Sequence, residues 1–469
     1  MAIRKYILLS FLFFWSIPVL AQVDTAWVRR YHGPGGLGDV AYAVAVDDSG
    51  NVYVTGYSVG SGTGPDYTTI KYASNGDTVW LRRYNGPGND DDVATALAVD
   101  NSGNVYVTGY SIGIGTAEDY VTIKYAPNGD TLWVRRYNRS GSDYGNALVV
   151  DDSGNVYVTG DPITIKYSLN GDMVWDFVGI KGVSLTVEDS GYVYTTGSST
   201  VKYSPNGGIE WALGYGGRDI AVDDSGNVYT TNFGATYKFG ADGEILWASN
   251  NYVDVPSDLA LDDSGNVYVA GYSNRATYPD YATVKHAPDG DTLWVRRYSG
   301  AGYDNLVHDL AVEKNGNVYV TGRSIGLGTG NDYATIMYTP NGDTLWVRRY
   351  NGPGNYNDHA NALTVDDSGY VYVTGESFGI GTYPDYATIK YFPCLAKPGD
   401  ANGSGGNPNL TDIIYLVNYS FKGGPAPSPT CRGDANASGG NGNLTDIIYL
   451  VNYVFKDGPA PPEIAMCCL

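Results

Sequence analysis

Cysteine is nearly missing from this chain: of 469 residues only Cys394, Cys431, Cys467 and Cys468 are cysteines, all near the C-terminus. The long N-terminal part must therefore hold together without disulfides, and among the four cysteines three pairings stay open. Histidine is as scarce, limited to His32, His286, His308 and His359. No two of these have metal-ligand spacing, and no His-Glu-x-x-His helix occurs. No Gly-x-Ser-x-Gly elbow sits between a strand and a helix. Basic residues number 29 against 50 acidic ones, a formal net charge of −21. Such a chain is repelled by nucleic acid and by anionic lipid. Long apolar runs are missing too, except for the 15 residues 6–20, short of the ~20 that a membrane helix needs. Flanked by Arg4, Lys5 and Val19-Leu20-Ala21, that run reads as a secretory signal over residues 1–21, removed before Gln22. The mature chain is then expected to be extracellular, at charge −23 once Arg4 and Lys5 are lost.

What is abundant is glycine (63) and tyrosine (43), as in turn-rich and strand-rich architectures. The phrase Asp-Asp-Ser-Gly-Asn-Val-Tyr recurs with variations, its glycine falling at Gly50, Gly103, Gly154, Gly191, Gly226, Gly265, Gly316 and Gly369. A tryptophan strand recurs as often, at Trp27, Trp80, Trp133, Trp175, Trp211, Trp247, Trp294 and Trp346. A third element, like Thr69-Ile70-Lys71-Tyr72, also has eight copies. Within a unit the apolar positions alternate with period two, predicting strands at 43–46, 51–56, 67–72 and 78–83. Asp48-Ser49-Gly50-Asn51 and Ser74-Asn75-Gly76-Asp77 read as tight turns. Four short antiparallel strands per unit of 35–53 residues describe a propeller blade. The mature chain opens on a lone fourth strand at 25–31, and the last unit stops after its third strand at Tyr391. That first strand can complete the last blade and hide both open edges. The expected fold is an all-β, eight-bladed propeller over residues 22–393.

The motif Asp-Asp-Ser-Gly-Asn-Val-Tyr-Val-Thr-Gly-Tyr-Ser resembles the beta-propeller repeat of SBBP type found in secreted bacterial proteins, over residues 23–392. That family is usually associated with seven blades; the count here is eight. In an up-and-down meander the short first–second and third–fourth turns share one face, and the longer, varied connections share the other. Binding belongs on the varied face. Five blades carry a long second–third loop, whereas three consecutive blades, from about Asp151 to Asn250, lack it. The rim should be notched there, either as a seat for an extended ligand or through drift in loop length.

Each long-loop blade opens its third strand with an Asp-Tyr pair: Asp66-Tyr67, Asp119-Tyr120, Asp280-Tyr281, Asp332-Tyr333 and Asp385-Tyr386. These ten residues could offer stacking faces and acceptors to sugars, or could be architectural, since they recur in every equivalent unit. Arg29-Arg30 and its four copies occur in the same blades, suited to ion pairs between blades. His32, His308 and His359 are expected in fourth–first loops, and His286 at the end of a third strand. Asp47-Asp48 and its copies read as turn aspartates rather than a catalytic pair.

Composition changes at Pro393-Cys394, and two segments 34 residues apart then match. Asp400, Asn402 and Ser404, with Gly405-Gly406 and Asp412, are repeated as Asp434, Asn436 and Ser438, with Gly439-Gly440 and Asp446. Oxygen ligands at alternate positions, a glycine at the bend and a closing carboxylate are the requirements of an EF-hand-type calcium loop, so two calcium ions are expected. Helices are predicted at 413–421 and 447–455. The pair resembles type I dockerin modules over residues 399–461, despite one extra residue before each closing aspartate and serine at the fifth position. That resemblance implies docking onto a cohesin-type scaffold protein, with Leu410, Thr411, Leu444 and Thr445 as contact residues. The tail is bounded as 394–463, with 464–469 trailing.

The resulting expectation is a secreted, non-catalytic propeller that binds or displays carbohydrate or protein and is tethered by a calcium-binding module. One competing expectation is a polysaccharide-degrading hydrolase or lyase carried by the same tail. A structural surface or matrix protein is another. Eight blades with outer tryptophans are also similar to pyrroloquinoline quinone dehydrogenases, a likeness of architecture alone.

Overall fold

The computed structural model describes residues 25–139, 141–250, 252–274, 278–302, 304–392, 410–422 and 444–456. Strands pair into eight four-stranded antiparallel sheets. Blade I comprises Asp39–Val46, Val52–Val59, Pro65–Tyr72 and Thr78–Tyr84. Blade II comprises Asp92–Val99, Val105–Ile112, Glu118–Tyr125 and Thr131–Tyr137. Blade III has Tyr144–Val150, Val156–Asp161, Ile163–Tyr167 and Met173–Val178. Blade IV has Gly182–Val187, Val193–Gly197, Thr200–Tyr203 and Ile209–Leu213. Blade V is made from Asp219–Val222, Val228–Asn232, Ala235–Phe239 and Ile245–Asn250. Blade VI is made from Val255–Leu261, Val267–Ser273, Asp280–His286 and Thr292–Tyr298. Blade VII spans Leu306–Val312, Val318–Ile325, Asn331–Tyr338 and Thr344–Tyr350. Blade VIII takes Asp358–Val365, Val371–Phe378 and Pro384–Tyr391, and borrows Thr25–Tyr31 as its outer strand.

The borrowed strand runs antiparallel to the last one, with Val28 opposite Ile389 and Arg29 opposite Thr388. First strands of successive blades touch around the whole ring, blade VIII to blade I included, so they line a central channel. Blades stack through apolar faces: Val52, Val54 and Ile70 of blade I meet Tyr372 and Tyr386 of blade VIII. Each outer tryptophan clamps the following blade. Trp27, Trp80, Trp133, Trp175, Trp211, Trp247 and Trp294 donate their indole N–H to a carbonyl in the next blade's third–fourth turn, at 3.0–3.3 Å. Among the described residues only Trp346 lacks this bond. Its neighbour is blade VIII, whose third and fourth strands come from opposite ends of the chain.

First strands begin earlier than alternation predicts, at Asp39 rather than residue 43 in blade I. A bulge explains the difference: the register shifts between Ala41 and Ala43, leaving Tyr42 unpaired and breaking the period of two. The same shift recurs at Thr95, Asn146, Val183, Ser257, His308 and Asn361. For the same reason His308 and His359 lie in first strands, not in the expected loops.

Two helices, α1 (Leu410–Lys422) and α2 (Leu444–Lys456), follow. They pack through Ile413, Leu416, Ile447 and Leu450.

Candidate functional site

Eight near-copies of one motif allow each position to be sorted by whether it repeats. Val-Tyr-Val-Thr-Gly in the second strand hardly varies, and the next position varies freely: Tyr57, Tyr110, Asp161, Ser198, Phe233, Tyr272, Arg323 and Glu376. Register places six of these residues opposite the start of the inner strand, as with Tyr57 against Val40 and Glu376 against His359, while Ser198 and Phe233 lie just past their strand ends. The bulge position varies equally: Tyr42, Thr95, Asn146, Val183, Ser257, His308 and Asn361, with Arg218 just before the unbulged strand of blade V. Both sets ring the loop-face mouth of the channel. This surface was missed when the sequence was read for motifs. The signal that could have found it is an alignment of the chain with itself.

Several bulge residues brace the ring while presenting their variation. Thr95 donates to the Gly145 carbonyl, Asn146 to Gly182, Ser257 to Val307 and Asn361 to Ala41, at 2.7–2.9 Å. His308 contacts the Ala360 carbonyl through Nδ1 at 2.8 Å, which fixes the proton on that nitrogen. Burial first, opposed by the Ala360 contact, holds its pKa below the ordinary value. Just beyond the bulges, Asp219, Asp258 and Asp309 stand side by side. Asp219 accepts from Ser184 (2.6 Å) and Leu259 N–H (3.0 Å), Asp258 from Leu310 N–H (2.8 Å), and Asp309 from Leu363 N–H (2.6 Å). Burial, then Asp219 and Asp309 on either side, holds the Asp258 carboxyl well above the usual carboxylate range. With their oxygens spent on backbone N–H groups of the next blade, these carboxyls serve as braces.

The mouth is chemically uneven. Blades I to III are aromatic there, with Tyr42–Tyr57 at 6.0 Å in blade I and Tyr110 of blade II edge-to-face with Tyr144 of blade III at 5.0 Å. Burial, then Tyr57 and Glu376, pushes the Tyr42 hydroxyl up to about 12. Blades VII and VIII carry the pairs Arg323–Asp304 (3.1 Å) and His359–Glu376 (2.7 Å). Blades III to V have the expected short connections, such as Ser198-Ser199 and Phe233-Gly234. Where they lower the rim, a cavity of about 760 Å³ opens, lined by Lys181, Val183, Ser198, Arg218, Asn232 and Phe233. Phe233 is 67% exposed, and the Arg218 guanidinium lies 5.4 Å from its ring. Lys181 is paired with Asp161 at 2.7 Å, so the exposed aromatic stands beside the Arg218 guanidinium and one ion pair. Another depression, of about 600 Å³, lies between blades VIII and I on the tight-turn face. It is lined by Asp47, Asp48, Asp366 and Asp367 and offers no aromatic face to a ligand beyond Tyr370.

The Asp-Tyr pairs are placed elsewhere. Tyr67, Tyr120, Tyr281, Tyr333 and Tyr386 are at most 1% exposed. Their hydroxyls donate to Val121, Ile163, Ala334, Ala387 and Thr68 carbonyls of the next blade at 2.8–3.2 Å. Asp66, Asp119, Asp332 and Asp385 receive Arg83, Arg136, Arg349 and Arg30 at 2.8–2.9 Å, while Asp280 is partly exposed. Buried rings cannot stack on a sugar, so this geometry fits the architectural reading. These four ion pairs lie within blades; between blades, Arg29 approaches Asp77 of blade I at 3.9 Å. Arg29, Arg82, Arg135 and Arg296 instead reach the next blade's turn carbonyls.

Literal Gly-x-Ser-x-Gly phrases, such as Gly56-Tyr57-Ser58-Val59-Gly60, run from a strand into a loop. Ser58 is buried and takes a hydrogen bond from Arg83 at 2.7 Å. Asp47 is a turn residue: burial works against its ionisation, but Asn51 and Tyr53 donate to it and hold it below the ordinary range. His286 is buried at a third-strand end, and desolvation drops its pKa to about 4.

In the tail, Asp400, Asn402, Ser404, Gly406, Asp434, Asn436, Ser438 and Gly440 lie outside the described residues, as does the side chain of Asp412. Asp446 is buried in the first turn of α2. Leu410, Thr411, Leu444 and Thr445 are exposed.

A family model described as beta-propeller repeat (SBBP) matches residues 27–62, 79–115, 132–161, 239–278 and 293–328. The first match opens in the closing strand and ends in blade I, so the sequence repeat is offset from the blade by one strand. No curated protein matches the chain. Among solved structures, the C-terminal WD40 domain of Sif2 superposes with a TM-score of 0.54 at 10% identity, over 80% of this chain and 99% of that one. Sqt1 from Chaetomium thermophilum gives 0.55 at 10% identity, over 79% and 98%. At such identities the likeness is one of fold.

Proposed function

We propose that this protein is a secreted, non-catalytic binding propeller whose ligand, an extended carbohydrate, lies across the notch of blades III to V. The observation that carries this reading is the cavity where exposed Phe233 stands beside Arg218 and Lys181. An aromatic face stacks on the apolar side of a sugar ring, while Arg218, Lys181 and Asn232 can donate to hydroxyl or carboxylate oxygens. The Arg218 guanidinium beside the ring favours a glycan bearing acidic groups, Lys181 being paired with Asp161. The low rim suits a chain that enters and leaves, rather than a small enclosed molecule. The test is a glycan array probed with the intact protein and with Phe233→Ala and Arg218→Ala. Retention on uronate-bearing or sulfated chains, reduced at least tenfold in both variants, supports the reading. No retained glycan favours a structural role, and release of reducing ends or unsaturated products removes the non-catalytic claim.

The C-terminal helices are read as a calcium-ordered docking module. Leu410, Ile414 and Phe421 of α1, and Leu444, Ile448 and Phe455 of α2, are exposed in duplicate, a paired apolar surface of the kind that engages a protein partner. The sequence-predicted donors are hard oxygens suited to calcium, and the burial of Asp446 at a helix start fits an inward-facing carboxylate ligand. Calcium would tie loop to helix in a segment too small to bury a sizeable core. A cohesin-type scaffold is the partner this reading implies.

A further inference from the structure

The seam between blades VIII and I holds a side-chain cluster that the other seams do not complete. His32 follows the closing strand, Asp39 opens the inner strand of blade I, and Asp385 belongs to the third strand of blade VIII. His32 Nδ1 is 2.7 Å from Asp385 Oδ1 and 3.9 Å from Asp39 Oδ2. A ring nitrogen and one oxygen from each carboxylate all lie within 4.8 Å of one another. Asp385 Oδ2 is engaged by Arg30 at 2.9 Å, which holds the carboxylate with Oδ1 towards His32. Asp39 is fully buried; its Oδ2 accepts the Gly33 N–H at 2.7 Å and its Oδ1 has no hydrogen-bond partner. His32 is 43% exposed, leaving a path from solvent.

Comparison among the repeats isolates the imidazole. The carboxylate pair recurs as Asp66 with Asp92 and as Asp332 with Asp358, close enough to interact electrostatically. After the Arg-Tyr that ends each outer strand of this type, however, the siblings of His32 are Asn85, Asn138, Ser299 and Asn351. Architecture alone is satisfied by asparagine or serine. The histidine sits in the connection that carries the closing strand of blade VIII into blade I, beside the buried Asp39 carboxylate.

We propose that His32, Asp39 and Asp385 bind one divalent transition-metal ion, and that this ion pins the closing strand to both blades it joins. One imidazole and two carboxylates form a borderline nitrogen–oxygen set, which suits zinc over the hard ions calcium and magnesium. Three protein ligands leave a fourth position for water. The ion binds the closed ring and not the open one, so it stabilises closure by mass action.

The experiment uses the whole mature chain, stripped with chelator and then saturated with calcium so that hard-ion sites in the tail are filled. Zinc is titrated by calorimetry into the parent and into His32→Asn, which installs the residue that three of the four sibling repeats carry. One zinc more should bind to the parent than to the variant, and zinc should raise the parent's melting temperature by about 2 °C or more at hundredfold saturation. The variant should show no such rise. Equal zinc uptake and equal thermal response in parent and variant would overturn the site. Should the variant not fold, cobalt(II) added to the parent with its cysteines alkylated supplies a separate readout. Intensified and red-shifted d–d absorption supports the three-ligand site, and a spectrum identical to aqueous cobalt overturns it.

Discussion

Replacing Trp27 by alanine probes whether ring closure depends on a non-covalent strand. Trp27 is 8% exposed, and its ring lies 6.0 Å from Tyr72 of blade I and 6.4 Å from Tyr372 of blade VIII. Its indole N–H donates to the Ser74 carbonyl at 3.1 Å. A buried tryptophan removes roughly 150–250 Å² from water, worth about 4–6 kcal/mol at ~25 cal/mol per Å². Truncations of this kind cost about 3–5 kcal/mol, and the lost hydrogen bond adds about 1. A total of about 4–6 kcal/mol is a large part of the ~5–15 kcal/mol by which domains are stable. Trp80→Ala is the matched control: Trp80 is 6% exposed, 6.2 Å from Tyr53 and 6.0 Å from Tyr125. Its strand, though, is covalently continuous with the third strand of its own blade. Both variants should lower the urea midpoint by similar amounts. Only Trp27→Ala should also release residues 25–31, seen as lost amide-exchange protection at urea concentrations well below the global transition. A cost under about 1 kcal/mol for Trp27→Ala would refute the reasoning, as would identical exchange patterns in the two variants.

Three further outcomes are expected. His286 stands where siblings have tyrosine or phenylalanine, and its folded pKa of about 4 lies below the ordinary 6.5. The folded state therefore binds fewer protons than the unfolded one, so stability present above pH ~6.5 is lost as pH falls towards 4. His286→Tyr should remove that loss, about 3 kcal/mol by pH 4, measured as urea midpoints against pH; parallel curves would exclude it. Asp258 has the opposite sign: its raised folded pKa means stability present at acid pH and lost as pH rises above ~4. The advantage of Asp258→Asn over the parent should accordingly grow between pH 4 and 7, and a pH-independent difference would contradict the brace. For the tail, calorimetry should show calcium uptake that disappears in the Asp412→Ala, Asp446→Ala double variant, with helical circular dichroism falling on chelation. A parent that takes up no calcium would end the calcium reading.

Much of the ring was legible because repetition is local information. Gly50 and its copies mark the tight turns, Trp27 precedes any partner strand, and the shortened second–third loops of blades III to V are plain deletions. The bulges were not legible. One unpaired residue at Tyr42 interrupts the alternation that betrays a strand, so the first four residues of the inner strand read as loop, and His308 and His359 were misplaced with them. The row Asp219, Asp258, Asp309 was equally hidden. Its members are separated by 39 and 51 residues, and only the stacking of blades V, VI and VII sets them side by side. Asp66-Tyr67 and its copies were visible as a pattern but not as a depth, because period two does not say which face of a blade meets its neighbour.

A ring of near-copies supplies its own control for separating scaffold from function. Whatever holds one blade to the next must recur around the ring, as the tryptophan latch does at seven seams and the Tyr67-type hydroxyl at five. A ligand has no such symmetry, so residues that serve one should break the repeat. The breaks gather in two places. Phe233, Arg218 and Lys181 depart from their siblings at the low rim, and His32 departs at the seam between blades VIII and I. Substitution towards the sibling residue is therefore the most discriminating perturbation in this protein. It keeps a side chain that the same backbone already accepts elsewhere in the wheel, and changes only what that blade does differently. An effect of His32→Asn on metal uptake would then report on function, since asparagine at that position is already compatible with three other seams.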